Sequence, residues 1–125
     1  MSVVNVQVKG LNDVRAAIAK YGRNLAQEIV DITGQVQALV VNDARMNHPY
    51  TDRTGNLTQS IQPGPIEATE RIVSGVIEAR MEYASYVEFG TSRSRPFPFL
   101  VPAMLRIIPR YRDSVKAAIA KAKAS

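Results

Sequence analysis

Val4, Val6 and Val8 alternate with Asn5, Gln7 and Lys9. A period of two predicts a short strand with one buried face, and Gly10 ends it. The period then changes. Leu11, Val14, Ile18, Tyr21, Leu25, Ile29, Ile32, Val36, Leu39 and Asp43 follow one another in steps of three or four, and only the last is polar. This predicts an amphipathic helix, with Asn12 or Asp13 as its N-cap. It ends near Met46-Asn47-His48-Pro49, because the residue before a proline is pushed out of the helical region. Residues 11–45 as one helix would span about 50 Å. A compact chain of this size has a radius of gyration of about 14 Å. Either the helix breaks, at Gly22 or Gly34, or it overhangs and another chain covers its stripe. The unbroken spacing favours one long, bent helix.

Residues 48–55 are polar and rich in turn formers, which predicts a loop. Asn56 or Thr54 can cap a helical turn through Leu57 to Ile61. Gln62-Pro63-Gly64-Pro65 then sets off a strand over residues 66–69, and Glu70 sits in a turn. A second strand follows over residues 71–79, antiparallel to the first, with the amino-terminal strand joining them; Gly75 marks a bulge or a close backbone approach. Residues 83–90 read as a short helix closed by Gly90, and residues 91–96 as a loop. Pro98 or Pro102 opens a final helix, and Pro109 predicts a kink or break between Ile108 and Tyr111. The fold class expected is α+β. A long N-terminal helix packs on a small antiparallel sheet, with a short middle helix and a kinked C-terminal helix. Residues 1–125 show no repeat or linker and are read as one domain.

Composition narrows the function. There are no cysteines, which removes disulfides and thiolate chemistry and fits a reducing cytoplasm, and there is one histidine, His48. No run of eighteen apolar residues is present, so no transmembrane helix is expected. The start, Met1-Ser2-Val3-Val4-Asn5, does not read as a signal peptide. The formal net charge of +5 is unevenly placed. Residues 1–92 carry eight basic and ten acidic side chains, a net −2. Residues 93–125 carry eight basic side chains against Asp113 alone, a net +7. Such an end suits nucleic acid or an acidic protein surface, or simply a solvated helix.

Catalytic sets are missing from the pattern. Ser60, Ser74 and Ser85 lack a glycine elbow, no Gly-rich loop carries a lysine, and Glu67, Glu70, Glu78, Glu82 and Glu88 are scattered. No enzyme, cofactor, metal or small-molecule substrate is expected. Two segments stand out instead. One is the loop Arg53-Thr54-Gly55-Asn56. The other runs from Tyr83 to Ala103 and holds Tyr83, Tyr86, Phe89, Phe97 and Phe99, five of the eight aromatics. Aromatics concentrated among turns mark either a core of loops or a protein interface.

Three blocks carry a resemblance: residues 53–61 (Arg-Thr-Gly-Asn-Leu-Thr-Gln-Ser-Ile), residues 83–92 (Tyr-Ala-Ser-Tyr-Val-Glu-Phe-Gly-Thr-Ser), and Pro96-Phe97 with residues 99–103 (Phe-Leu-Val-Pro-Ala). In order and spacing the chain resembles the head–tail joining, or neck and tail-completion, proteins of tailed bacteriophages and prophages, over roughly residues 10–120. Pro98 departs from the pattern, since the family more often runs directly from proline to phenylalanine and leucine. The resemblance implies an α+β subunit, several copies of which build a ring between capsid and tail in the virion, after synthesis in the host cytoplasm. It implies no catalytic residues. DNA passes through such a junction.

The expected contacts follow. Arg53, Thr54, Gly55, Asn56, Tyr86, Glu88, Phe89, Arg93, Arg95 and Phe97 are candidates for contact with other subunits or with connector and tail proteins. Arg106, Arg110, Arg112, Lys116, Lys121 and Lys123 are candidates for an acidic surface or for non-specific contact with DNA in the channel. The alternative is a small basic nucleic-acid-binding protein of a prophage. No membrane partner is expected.

Overall fold

The computed structural model of the chain describes residues 4–9, 14–51, 55–68 and 73–124. Strand β1 (Val4–Lys9) leads to helix α1 (Val14–Tyr21), and helix α2 (Arg23–Met46) follows directly. The expected single long helix is therefore two helices joined at Gly22. Its φ of 82° and ψ of −161° are open to glycine and strained for any other residue. Gly34, the other candidate, lies inside α2. The candidate caps Asn12 and Asp13 fall outside the described residues.

After the loop comes the short helix α3 (Asn56–Ser60), then the strands β2 (Ile61–Ala68) and β3 (Val73–Ala79). These form a three-stranded antiparallel sheet in the order β1-β3-β2. Strand β2 begins five residues earlier than expected and runs through Pro63 and Pro65. It can do so because it is an edge strand, where a missing N–H breaks no second ladder. The register shifts between Pro63 and Ile66. The expected turn at Glu70 and the first residues of the second strand lie outside the described residues.

One face of β3 (Val73, Gly75, Ile77 and Ala79) is buried under the helices. Helix α2 lies against β2 and β3 and also against α5 (Leu100–Ala124), giving two layers around one core. Leu25, Ile29, Val36 and Val40 of α2 meet Leu100, Ala103, Ile107, Tyr111 and Val115 of α5 within this core. Gly75 marks a close approach: a Cβ there would lie 2.8 Å from the Gln37 amide and 2.9 Å from the Thr33 methyl. Gln37 is itself buried. Its Nε2 donates to the Gly64 and Val76 carbonyls at 3.2 and 2.9 Å. Gly64 lies in the irregular stretch of β2, so Gln37 supplies a bond there that the ladder does not.

Of the kink or break expected at Pro109, the break does not occur: helix α5 continues through it. The carbonyl that Pro109 leaves without a partner is that of Leu105, and both residues are exposed, so water can satisfy it. Ile107 and Tyr111, on either side, are buried and hold the helix to α2.

Candidate functional site

The segment from Arg80 to Phe99 folds into a compact knot around α4 (Ala84–Phe89). Ala84 N–H donates to the Met81 carbonyl at 3.0 Å and starts the helix. Gly90 ends it with a φ of 77°, and Pro96 and Ser94 pack so close that a Cβ would lie within 3 Å of both backbones. The loop beyond is closed on itself. Thr91 N–H donates to the Ser94 carbonyl at 2.9 Å, and Thr91 Oγ1 accepts from the Arg93 and Ser94 N–H groups at 3.2 and 3.1 Å. Phe97 N–H then returns to the Val87 carbonyl at 2.7 Å.

Glu88 fixes this knot to the long helix. It is only 3% exposed, and its Oε1 accepts hydrogen bonds from the N–H groups of Phe99 at 3.1 Å and Leu100 at 2.7 Å. These are donors that the start of α5 would otherwise leave unpaired, and the helix dipole favours a carboxylate there. Glu88 was expected to contact a partner. The structure corrects that: the side chain is spent inside the fold, because a buried carboxylate has to be satisfied by donors.

What α4 presents outward is aromatic. Tyr86 is 58% exposed and Phe89 is 66% exposed, with Tyr83 beside them at spacings of three. Next to them is a groove of about 420 Å³, walled by Tyr50, Tyr83, Tyr86, Val87 and Phe97. Arg95 lies over the Phe97 ring, 5.0 Å from its centroid. Tyr50 packs edge-on against the buried Phe99, and its hydroxyl is 2.9 Å from Thr58 Oγ1. That contact brings α3 to the same side.

The other candidates divide. Arg53 and Thr54 lie outside the described residues. Gly55 precedes α3 in a left-handed conformation, with a φ of 77°, and Asn56 begins that helix, exposed. Arg93 and Arg95 are exposed, and Phe97 is half-buried. So the structure brings Tyr86, Arg95 and Phe97 together, with Phe89 at the end of the same helix.

The basic residues of α5 do not share one face. Arg106 turns to Asp43 on α2, its Nε 2.9 and 3.2 Å from the two carboxylate oxygens and its Nη2 closer still to Oδ1. Those hydrogen bonds raise the guanidinium above its ordinary pKa. Lys121 stands 3.9 Å from Glu28 on the same flank. Arg106, expected to face an external acidic surface, already has a partner in Asp43, although its side chain remains 47% exposed. Arg112, Lys116 and Lys123, spaced by four and seven, share the outward row, and Arg110 is exposed. Lys20 on α1 joins Lys116 and Lys123 around one groove. Sequence reading passed it over, since nothing along the chain links it to α5. Among the described residues no cluster of metal-binding side chains occurs, and no helix is long and apolar enough to cross a membrane.

Residues 12–90, well over half the chain, match a family model described as bacteriophage HK97-gp10, for which the description proposes a tail-component role. No curated protein and no solved structure matches the chain. The chain belongs to the HK97-gp10-like family, and with it to the structural, tail-related proteins of the bacteriophage virion.

Proposed function

We propose that the chain is a subunit of the ring that forms or completes the junction between head and tail, with residues 1–125 acting as one head–tail joining domain. The observation that carries this reading is the exposed aromatic face of α4. Tyr86 and Phe89 place large apolar surfaces in water on a helix that the buried Glu88 ties to the start of α5. Aromatic side chains bury about 150–250 Å² each and are enriched at the centres of protein interfaces. Burying these rings against a neighbouring copy would repay their exposure at about 25 cal/mol per Å². Arg53, Thr54, Gly55, Asn56, Arg93, Arg95 and Phe97 would border that contact, alongside other connector or tail proteins. Arg110 and Arg112 would meet DNA without reading its sequence. The role is structural, not enzymatic.

The test replaces Tyr86 and Phe89 together by serine. Both are exposed, so circular dichroism and the unfolding midpoint should stay close to the parent. Ring formation, followed by sedimentation and electron microscopy, should be lost, and phage complemented with the variant should accumulate separate heads and tails. Normal particle yield would overturn the reading. The outward row of Arg112, Lys116 and Lys123 favours a second reading, a small basic nucleic-acid-binding protein. DNA affinity that falls steeply with salt and ignores the serine pair would support it.

A further inference from the structure

Helix α1 lies against α5, and the α5 residues between them, Lys116 to Lys123, come from its C-terminal half. Between them runs a groove of about 460 Å³. It is lined by small or apolar side chains, Ala16 and Ala17 from α1 and Ile119 and Ala120 from α5, and by Tyr21, whose ring centroid lies 5.4 Å from Lys20 Nζ. Ala17 is buried and Ile119 half-buried, while Ala16 and Ala120 are exposed. Lys20, Lys116 and Lys123 stand around this floor, all exposed, and no carboxylate lines the groove among the described residues. Lys116, Ile119, Ala120 and Lys123 follow a three–one–three spacing, which puts apolar floor and cationic rim on one side of α5. Two helices thus form a trough that small residues keep shallow, so a third helix can come close. From Lys116 to Lys123 it extends about 10 Å, or two helical turns.

We propose that this groove takes an acidic, amphipathic helical segment of a partner protein. Its small apolar side would lie on Ala16, Ile119 and Ala120, and its carboxylates would meet Lys20, Lys116 and Lys123. Charge decides the sign of the occupant: three lysines without a carboxylate repel a basic segment and attract an acidic one. The floor decides its class. Phosphate backbones are held by cations together with several polar donors; besides its lysines this groove offers one such group, the phenol of Tyr21, while the methyl groups of Ala16, Ile119 and Ala120 offer an apolar helix face its buried contact. The groove shares no residue with the α4 surface, so the two can engage different neighbours.

The probe is a labelled helical peptide of glutamate, alanine and leucine, with its glutamates on one stripe, titrated onto the full chain by fluorescence anisotropy. The expected result is saturable binding that weakens with salt. The double variant Lys116→Glu and Lys123→Glu should weaken it by about tenfold or more, as reversal of rim charges predicts. Ala120→Gln, which leaves the charge unchanged, should weaken it several-fold by crowding the floor. Backbone amide shifts on binding should centre on Ala16, Ile119 and Ala120. All three substituted positions are exposed, so the fold should persist, and circular dichroism verifies that. The Tyr86 and Phe89 serine pair should bind the peptide normally, which separates this proposal from the ring. Absence of saturable binding would overturn it. So would equal affinity for polyglutamate with no effect of Ala120→Gln, tighter binding of a short DNA duplex through the same lysines, or occupation of the groove by a second copy of the chain.

Discussion

The carboxylate of Glu88 lies 2.7 Å from the backbone nitrogen of Leu100, and together with its 3.1 Å contact to the Phe99 nitrogen this ties α4 to the start of α5. The first N–H groups of a helix have no partner within it, and here Phe99 and Leu100 are both buried. Replacing Glu88 with alanine leaves two buried donors without an acceptor and should lower stability by about 2–4 kcal/mol. Replacing it with glutamine keeps an acceptor but removes the charge, and should cost less, about 1 kcal/mol. Urea midpoints of the two variants measure the difference. A midpoint for Glu88→Ala that matches the parent would mean that the start of α5 is held some other way.

A second polar pair sits between the two long helices. The hydroxyls of Thr33 and Tyr111 are 3.0 Å apart, and Thr33 also donates to the Ile29 carbonyl at 2.8 Å. Burial raises the Tyr111 phenol above its ordinary value of 10.0. In the unfolded chain the phenol ionises first, near pH 10. The stabilisation from keeping it neutral is therefore fully present below about pH 10, and is lost as pH rises through the folded-state value. Tyr111→Phe removes this titration. At neutral pH it should cost about 0.5–1.5 kcal/mol for the lost hydrogen bond. Above roughly pH 10 its stability should fall less with pH than that of the parent. Parallel stability curves for the two proteins across that range would contradict the assignment.

Much of this arrangement is legible in the sequence because it is periodic. The three–four spacing picks out Leu25, Ile29 and Val36 on the buried face of α2, but it also takes in Leu39, which is 37% exposed, and passes over the fully buried Val40; alternation marks β1. The aromatic concentration from Tyr83 onward marks the knot around α4. What periodicity misses is decided across the fold. Pro63 and Pro65 read as a strand boundary, yet β2 runs through both because it lies at the sheet edge. Glu88 reads as one scattered carboxylate among several, since its donors lie eleven and twelve residues away. Arg106 reads as part of a basic end until Asp43, on another helix, is placed beside it. Gly75 shows only that a close approach occurs; that Gln37 and Thr33 make it depends on the packing of α2.

Gly22 joins the geometry of the helices to the groove between α1 and α5. Its backbone, with φ 82° and ψ −161°, lies in a region open essentially to glycine alone. Yet a Cβ there would meet nothing within 4 Å. The obstacle to alanine is therefore conformational, not steric contact with a neighbour. Holding alanine in this conformation costs about 1–3 kcal/mol. The alternative is to relax into helix, where alanine is favoured over glycine by about 1 kcal/mol. That would fuse α1 with α2 and swing α1 off α5, uncovering Ala17, which is now buried. Both routes lower stability, but they differ in what happens to the groove. Gly22→Ala should lower the unfolding midpoint, and to the extent that the helices fuse it should abolish binding of the acidic peptide even though Lys20, Lys116 and Lys123 are all still present. Far-UV circular dichroism, urea titration and peptide anisotropy on the same preparation measure the three effects together. Parent-like stability with full peptide binding would show that the joint accepts a side chain and that Gly22 does not set the angle between α1 and α2.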